Sequence, residues 1–180
     1  LYLMPMALSF LAAQPEITLR FMLTDQRINL IDEHVDVALR IGHLADSALI
    51  ATRIGGVRRV VCASPAYLAR RGTPRLPEDL AQHDGISVPG FATAPESRYR
   101  GDIQAALADL GIIRVLSYQV EDELRSGRLQ VLLEDFASEP LPVNIIYPKA
   151  ELLPLKVRCF LDWTVPRLRA AMAGLHAQGP

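Results

Sequence analysis

The sequence predicts an α/β protein of two lobes, because strand patterns alternate with helix starts and one stretch of chain links two such groups. That stretch runs from Asp36 to Leu68. It starts with a nearly apolar strand that ends at Arg40-Ile41-Gly42, continues through an extended run from Val57 to Ala63, and finishes in a helix start at Ser64-Pro65. A strand, a long crossing segment and a new helix indicate that the chain leaves one lobe and begins another.

The opening residues, LYLMPMALSFLAA, predict a helix rather than a signal peptide or membrane span, because they lack a basic leader and a small-residue cleavage site. A chain that starts directly in a helix without a cap is expected to continue from an earlier segment. Apolar residues at helical spacing predict an inward face formed by Met4, Leu8 and Leu11. The apolar remainder, either exposed or part of the core, is Leu3, Met6 and Phe10.

A βαβ unit is predicted next. Apolar and other residues alternate from Ile17 to Leu23, which is typical of a strand with one buried face, and Thr24-Asp25 closes it and caps a helix from Gln26 to Glu33. His34 stands where such a helix ends in a left-handed residue. The nearly continuous apolar run from Val35 to Ile41 predicts a second strand, parallel to the first and central in a sheet covered on both faces.

The second lobe is predicted to begin with a well-capped helix, because serine accepts a hydrogen bond from the first turn and proline at the first helical position needs no donor. Asp102 is predicted to cap a later helix that Gly111 stops, and Gly127 to end the helix that Ser117 starts. Gly55-Gly56 is interpreted as a turn. Further helices are predicted at 76–80, 103–110, 117–125 and 154–172, the last interrupted near Pro166, and strands at 112–116, 127–133 and 143–147.

Composition indicates an ordinary globular protein, with 50% hydrophobic, 22% charged and 6% aromatic residues. A formal net charge of −1 argues against this chain alone binding nucleic acid, which requires clustered Lys and Arg. Cys62 and Cys159 stand in apolar patterns and read as buried free thiols rather than a disulfide framework. Free thiols favour a reducing cytoplasm.

The sequence offers little support for catalysis, a metal or a cofactor. The four histidines stand in turns or a polar tail without metal-ligand spacing, and phosphate-binding and nucleophile-elbow motifs are missing from the sequence. Cys62 lies among apolar strand residues, which predicts an inert thiol with a raised pKa. Adjacent carboxylates such as Glu121-Asp122 fall at element ends and are interpreted as solvated surface charge.

Binding of a small ligand is better supported than catalysis, since ligands of open α/β sheets lie beyond the carboxyl ends of strands, near helix amino termini. In this sequence those ends are marked by Thr24-Asp25, by Arg40 to His43 and by Gly101-Asp102-Ile103. Arg40 ends an apolar strand and is therefore either paired with a local carboxylate or available to an anionic ligand. Thr24 is a helix cap, a ligand contact, or both.

Beyond the stretch from Asp36 to Leu68, the residues that carry a family likeness are Pro15–Glu33, Leu107–Val120, Gly127–Phe136 and Leu141–Trp163. Over nearly its whole length, the chain resembles the effector-binding domain of LysR-type transcriptional regulators. The resemblance implies two Rossmann-like lobes joined by two crossing strands, as in type II periplasmic binding proteins. It places lobe 1 at 1–61 plus 147–180 and lobe 2 at 62–146.

The same resemblance implies a small-molecule effector, an organic acid or an aromatic compound, bound in the cleft between the lobes. The resemblance carries over the family's pocket positions, with Gly42 and its neighbours among them. They are Thr24, Asp25, Arg40, Ile41, Gly42, His43, Asp102, Ile103 and Tyr147. The hinge positions on the crossing strands are Val61, Cys62, Ala63, Ile145 and Ile146.

The resemblance further implies a cytoplasmic homodimer, or a tetramer at full length, built through the helix Leu3–Ala13 and a helix over Tyr118–Arg125. DNA would be contacted through a helix-turn-helix segment expected before Leu1, and no membrane would be involved. About two strands that the family places between His83 and Asp102 are missing, which indicates residues lost near Arg100–Gly101 or a genuine deletion. A transporter's solute-binding protein and an enzyme on the same fold remain alternatives.

Overall fold

The protein is described by a computed structural model over residues 3–24, 28–44, 49–86, 99–149 and 152–177. Contacts divide the chain into two compact units, Leu1–Gly56 with Leu141–Pro180 and Val57–Pro140. Each unit has its own three-stranded sheet with helices, which confirms the predicted class of two α/β lobes. The lobe limits expected near residues 61 and 147 stay a prediction.

The element bounds are as follows. The helices are α1 (Leu3–Ala13), α2 (Pro65–Arg71), α3 (Tyr99–Leu107), α4 (Glu121–Arg125) and α5 (Leu155–Ala177). The strands are β1 (Ala38–Ile41), β2 (Leu49–Val57), β3 (Arg59–Ala63), β4 (Ile113–Leu116), β5 (Gln130–Leu132) and β6 (Leu141–Pro148). Short 3₁₀ turns span Pro77–Gln82, Ser117–Gln119 and Glu134–Phe136.

The sheet of the first unit has the order β1-β6-β2, so the last strand of the chain lies in its centre. β6 pairs antiparallel with β1, in a register that sets Ala38 opposite Ile146 and Ile41 opposite Val143. Four consecutive residues of β6, from Val143 to Ile146, are buried, as expected for a strand with neighbours on both edges. The predicted strand at 143–147 is thereby confirmed.

The predicted βαβ unit is wrong. Residues 17–24 form no strand, and residues 28–34 form no helix, with a turn at 30–34. β1 lies at the edge of its sheet, half-buried, instead of in the centre. Alternation specifies which face of a strand is buried but not which strand pairs with it, and β6 takes the place beside β1.

His34 behaves as predicted. Its φ is +54°, and the turn before it closes with two hydrogen bonds, from Val35 N to Leu30 O (2.8 Å) and from His34 N to Ile31 O (3.2 Å). This is the bonding pattern that ends helices in a left-handed residue. The sequence around His34 therefore forms a left-handed helix ending even though no full helix precedes it.

The inward face of α1 is the reverse of the predicted one. Ala7 and Phe10 are buried, whereas Met4 is 45% exposed and Leu8 61% exposed. The Phe10 ring meets Phe160 and Trp163 of α5 edge-on, at centroid distances of 5.3 and 6.1 Å. A helix that is apolar on several sides can pack inward through more than one of them. The side that carries Phe10 is buried because its large ring removes the most apolar area from water.

Two further expectations in the first unit are corrected. Helix α5 runs continuously through Pro166, which lies on its exposed side, so the predicted interruption is wrong. Gly55 lies inside β2 rather than in a turn, and a Cβ there would stand 2.7 Å from the Met172 Cβ. Glycine is needed at this position because α5 approaches the strand closely.

The sheet of the second unit has the order β4-β3-β5, with both neighbours antiparallel to β3. One apolar cluster contains Cys62, Ile103, Ala106, Ile113, Val115, Val120 and Leu129. Another contains Ala63, Tyr67, Leu68, Ile112 and Leu132. Residues alternate between the two clusters along β3 and β4, so each cluster occupies one face of the sheet.

The cap of α2 is confirmed and is tied to the end of α3. Ser64 Oγ accepts a hydrogen bond from Tyr67 N at 3.1 Å, and the same hydroxyl donates to Asp109 Oδ1 at 2.5 Å. Asp109 has φ +62°, and Arg70 Nη2 donates to its carbonyl oxygen at 2.8 Å. One aspartate thus ends α3 in a left-handed conformation and contacts both ends of α2.

The predicted bounds of α3 are wrong at both ends. The helix starts at Tyr99, so Asp102 lies inside it rather than capping it, and it ends before the left-handed Asp109. Gly111 serves another purpose, since a Cβ there would lie 2.1 Å from Asp84 O. The predicted helix from Ser117 is split into a 3₁₀ turn and α4, whereas its end at Gly127, with φ +71°, is confirmed.

Cys62 is the buried thiol with a raised pKa that its neighbours predict. Its side chain has no exposed surface, and burial raises its pKa from 9.0 to about 12, with a smaller contribution from the Glu123 carboxylate. An unfolded chain releases the Cys62 proton near its ordinary pKa, whereas the folded chain holds it. The free energy of unfolding should therefore be highest below pH 9 and fall as the pH rises toward about 12.

We predict that Cys62→Ala removes this alkaline loss. Between pH 8 and about pH 10.5, the natural protein should lose about 2 kcal/mol more of its unfolding free energy than the variant. Urea unfolding at both pH values measures the difference. Cys159→Ala, at a half-buried thiol, serves as the control and should follow the natural protein. Equal losses in the natural protein and Cys62→Ala would contradict the prediction.

The buried Tyr67 hydroxyl joins α2 to the segment after the 3₁₀ turn at Pro77–Gln82. It accepts a hydrogen bond from Asp84 N at 2.8 Å and lies 3.2 Å from His83 Nδ1.

Tyr67→Phe should lower the unfolding free energy by about 1–3 kcal/mol, because Asp84 N loses its acceptor. Urea unfolding at neutral pH tests this, with Tyr147→Phe as the half-buried control. A variant as stable as its control would show that the hydroxyl contributes nothing.

Candidate functional site

Arg40 lies in the first unit at a position that combines charge with partial burial. It is half-buried in β1, and the register sets it opposite Asn144 of β6. Asn144 is only 8% exposed and is the one polar residue within the buried run of β6. Residues directly opposite in an antiparallel pair share a face and have Cβ atoms about 5 Å apart. A guanidinium and an amide therefore stand side by side on an otherwise apolar ladder.

Gly42 follows directly at the end of β1. Its amide donates to Pro142 O at 2.8 Å, and its φ is +110°. A Cβ at Gly42 would meet nothing within 4 Å, so glycine is required by the backbone conformation and not by crowding. The space beside Gly42 is open, Ile41 is half-buried, and His43 is exposed.

Tyr147 lies away from this group. The register pairs Ala38 with Ile146, which puts Tyr147 beyond the start of β1, whereas Gly42 contacts Pro142 near the start of β6. Five residues of extended chain separate the two ends of this ladder, or about 17 Å. The structure therefore brings together Arg40, Ile41, Gly42 and Asn144 but does not bring Tyr147 to Gly42.

The other candidate positions belong to different segments of the chain. Thr24 is exposed at the end of the irregular segment, and Asp25 lies outside the described residues. Asp102 belongs to α3, with its side chain also outside the described part. Ile103 is 9% exposed and packs in the core cluster of Cys62, so its side chain is committed to the fold of the second unit.

The proposed hinge residues lie inside strands. Val61, Cys62 and Ala63 belong to β3, whose last two residues are fully buried, and Ile145 and Ile146 are buried in β6. The chain passes between the units earlier in each case, at 56–57 and 140–141. The hinge assignment therefore stays a prediction.

Asn144 is the residue that sequence reasoning passed over. The available signal was a single polar residue in the run Val143 to Tyr147, which had been interpreted only as a crossing strand. Across the described residues, no group of three or more His, Cys, Asp or Glu side chains could hold a metal ion. Nor is any described helix long and apolar enough to cross a membrane.

The chain matches the family model of the LysR substrate binding domain over residues 1–98 and 97–169. Among curated proteins it is 33% identical to the HTH-type transcriptional regulator CrgA of Neisseria meningitidis, over 96% of this chain and 64% of that protein. It is 31% identical to the HTH-type transcriptional regulator YhjC of Escherichia coli, over 89% of this chain and 61% of that protein. The chain thus spans about three-fifths of these relatives.

Solved structures agree with the sequence matches. The regulatory domain of CrgA, a LysR-type transcriptional regulator from Neisseria meningitidis, superposes with a TM-score of 0.76 at 32% identity, covering 91% of this chain and 90% of that one. The full-length Vibrio cholerae virulence activator AphB gives a TM-score of 0.77 at 28% identity, over 91% of this chain and 63% of that one. The family model accounts for well over half of the sequence, and the chain belongs to the LysR substrate-binding domain family.

Proposed function

We propose that this chain is the effector-sensing part of a LysR-type transcriptional regulator and that it binds a small organic acid or aromatic acid beside Arg40. The observation that carries this proposal is the half-buried Arg40 opposite the buried Asn144, next to the open space at Gly42. A guanidinium offers a carboxylate two parallel hydrogen bonds, and partial burial strengthens them. The amide of Asn144 supplies a neutral donor and acceptor for a second polar group of the ligand.

The regulatory part of the proposal is supported by the relatives, which are named as HTH-type transcriptional regulators. A chain of net charge −1 is a poor DNA ligand, so DNA would be contacted by another segment of the regulator. An effector that binds two conformations unequally shifts their populations and thereby changes DNA binding. Such a protein acts in the cytoplasm, where bacterial DNA lies, without catalysis.

Self-association is part of the same proposal, and the exposed residues of α1 support one surface for it. On α1 the exposed apolar residues are Met4 and Leu8, whereas Phe10 is buried within its own unit. We therefore assign the contact with a second copy to the stripe of Met4 and Leu8. A contribution from Tyr118–Arg125, the second helix implied by the family resemblance, stays an expectation.

The proposed effector site is tested by screening small carboxylates for thermal stabilisation of the chain and measuring the affinity of a stabilising acid by calorimetry. Arg40→Lys keeps the charge but loses the paired donors, so the dissociation constant should rise about tenfold, or about 1.4 kcal/mol. Lys149→Ala removes an exposed cation of the same unit and should leave the affinity unchanged. An unchanged affinity in Arg40→Lys would show that the ligand binds elsewhere.

A further inference from the structure

The second unit contains a cavity of about 270 Å³ whose lining residues all lie within Val57–Pro140. None of them belongs to the group around Arg40. The side chains that give the cavity its character are Arg58, Arg59, Val61, Arg114, Leu132 and Phe136.

The register of the sheet explains why charges and apolar groups meet there. Val61 stands opposite Arg114 on β4 and opposite Leu132 on β5, so the three side chains share one face. Arg59 is two residues before Val61 and points to the same face. Arg59 and Arg114 are therefore diagonal neighbours, while Ala63, further along β3, lies in the apolar core of that face. The core thus changes into a cationic rim at the Arg59 end of the sheet.

More cationic than anionic residues line the cavity. Three arginines face one carboxylate, Glu134, which leaves the lining with two net positive charges. Arg58 and Arg59 are exposed, and neither guanidinium makes a hydrogen bond or ion pair with the described residues. An anion in the cavity would be attracted by these two guanidiniums, whose charge no described side chain pairs with.

An aromatic wall stands beside these charges. Phe136 is 52% exposed and lines the cavity together with Val61 and Leu132. It is carried by the 3₁₀ turn after Leu133, which has φ +56°, a conformation that a branched side chain adopts at a steric cost. The fold thus holds an exposed ring in one cavity with Arg58 and Arg59, after a residue in a strained conformation, and strained backbone clusters at active sites and ligand clamps.

We propose that this cavity is a second ligand site, which takes a small organic anion with an apolar body. The carboxylate of such a ligand is held by Arg58 and Arg59, and its ring or chain packs against Val61, Leu132 and Phe136. The site is separate from the one proposed at Arg40 and does not depend on it. It gives the second unit its own means of sensing an acid.

The test is a titration of the whole isotopically labelled chain with benzoate, followed by amide chemical shifts. Benzoate at millimolar concentrations should shift amides of Val60–Val61, Arg114 and Val131–Ser138 in a saturable way. The double variant Arg58→Ala, Arg59→Ala should raise the dissociation constant at least tenfold, since both charged donors are lost. Arg75→Ala, an exposed arginine of the same unit outside the cavity, is the matched control and should bind as the natural chain does.

Two further probes define the ligand class. Benzamide has the shape of benzoate without its charge and should cause no saturable shift, and inorganic phosphate should bind more weakly than benzoate because it lacks an apolar body. Equal responses to benzamide, tighter binding of phosphate, unchanged affinity in the double variant or no shift at all would each overturn the proposal.

The location of the shifts separates this site from the proposed effector site. Benzoate shifts confined to Arg40–His43 and Val143–Tyr147 would overturn the second site and leave the proposed function intact. Shifts at Val131–Ser138 that persist in Arg40→Lys support the second site, even if no acid binds beside Arg40.

Discussion

The first unit depends on the pairing of β6 with β1. These strands lie about a hundred residues apart in the sequence, and the whole of Val57–Pro140 intervenes. The entropic cost of closing such a loop grows only with the logarithm of its length, and a folded second unit shortens the effective loop further. The buried run from Val143 to Ile146 then supplies the apolar area that offsets that cost.

The same pairing sets the geometry of the proposed effector site. Arg40 and Asn144 are neighbours only because the register aligns them, and Gly42 is fixed by its hydrogen bond to Pro142. A ligand that contacts both strands would stabilise their pairing by mass action. The second unit is organised differently, since its sheet has an apolar core on each face and a cationic rim at one end of one face. Cys62 lies on the other face of this sheet and does not line the cavity.

Local signals in the sequence predicted local structure well. Ser64-Pro65, Gly127 and His34 each form the cap or turn that their side chains favour, because capping involves residues a few positions apart. The strand near 143–147 and the buried thiol of Cys62 also followed from short apolar runs. The family resemblance, rather than any motif, identified the class of protein, and the match to the family model confirms it.

Features that depend on distant partners could not be predicted in this way. The alternation from Ile17 to Leu23 predicted a strand, yet among the described residues only β6 pairs with β1, and periodicity holds no information about pairing. The buried face of α1 was decided by the fit of Phe10 against α5, which spacing within α1 cannot reveal. Asn144 was overlooked as a candidate because its importance comes from the residue opposite, Arg40, about a hundred positions earlier.

The most direct measurement of the central claim is hydrogen–deuterium exchange of the whole chain, resolved by peptide. If β6 completes the first sheet, peptides from Ala38–Gly42 and Val143–Tyr147 should both be protected from exchange, because they bond to each other. A peptide from residues 17–24 should exchange rapidly, since those residues form no strand. Strong protection of 17–24 together with rapid exchange of Ala38–Gly42 would contradict the account.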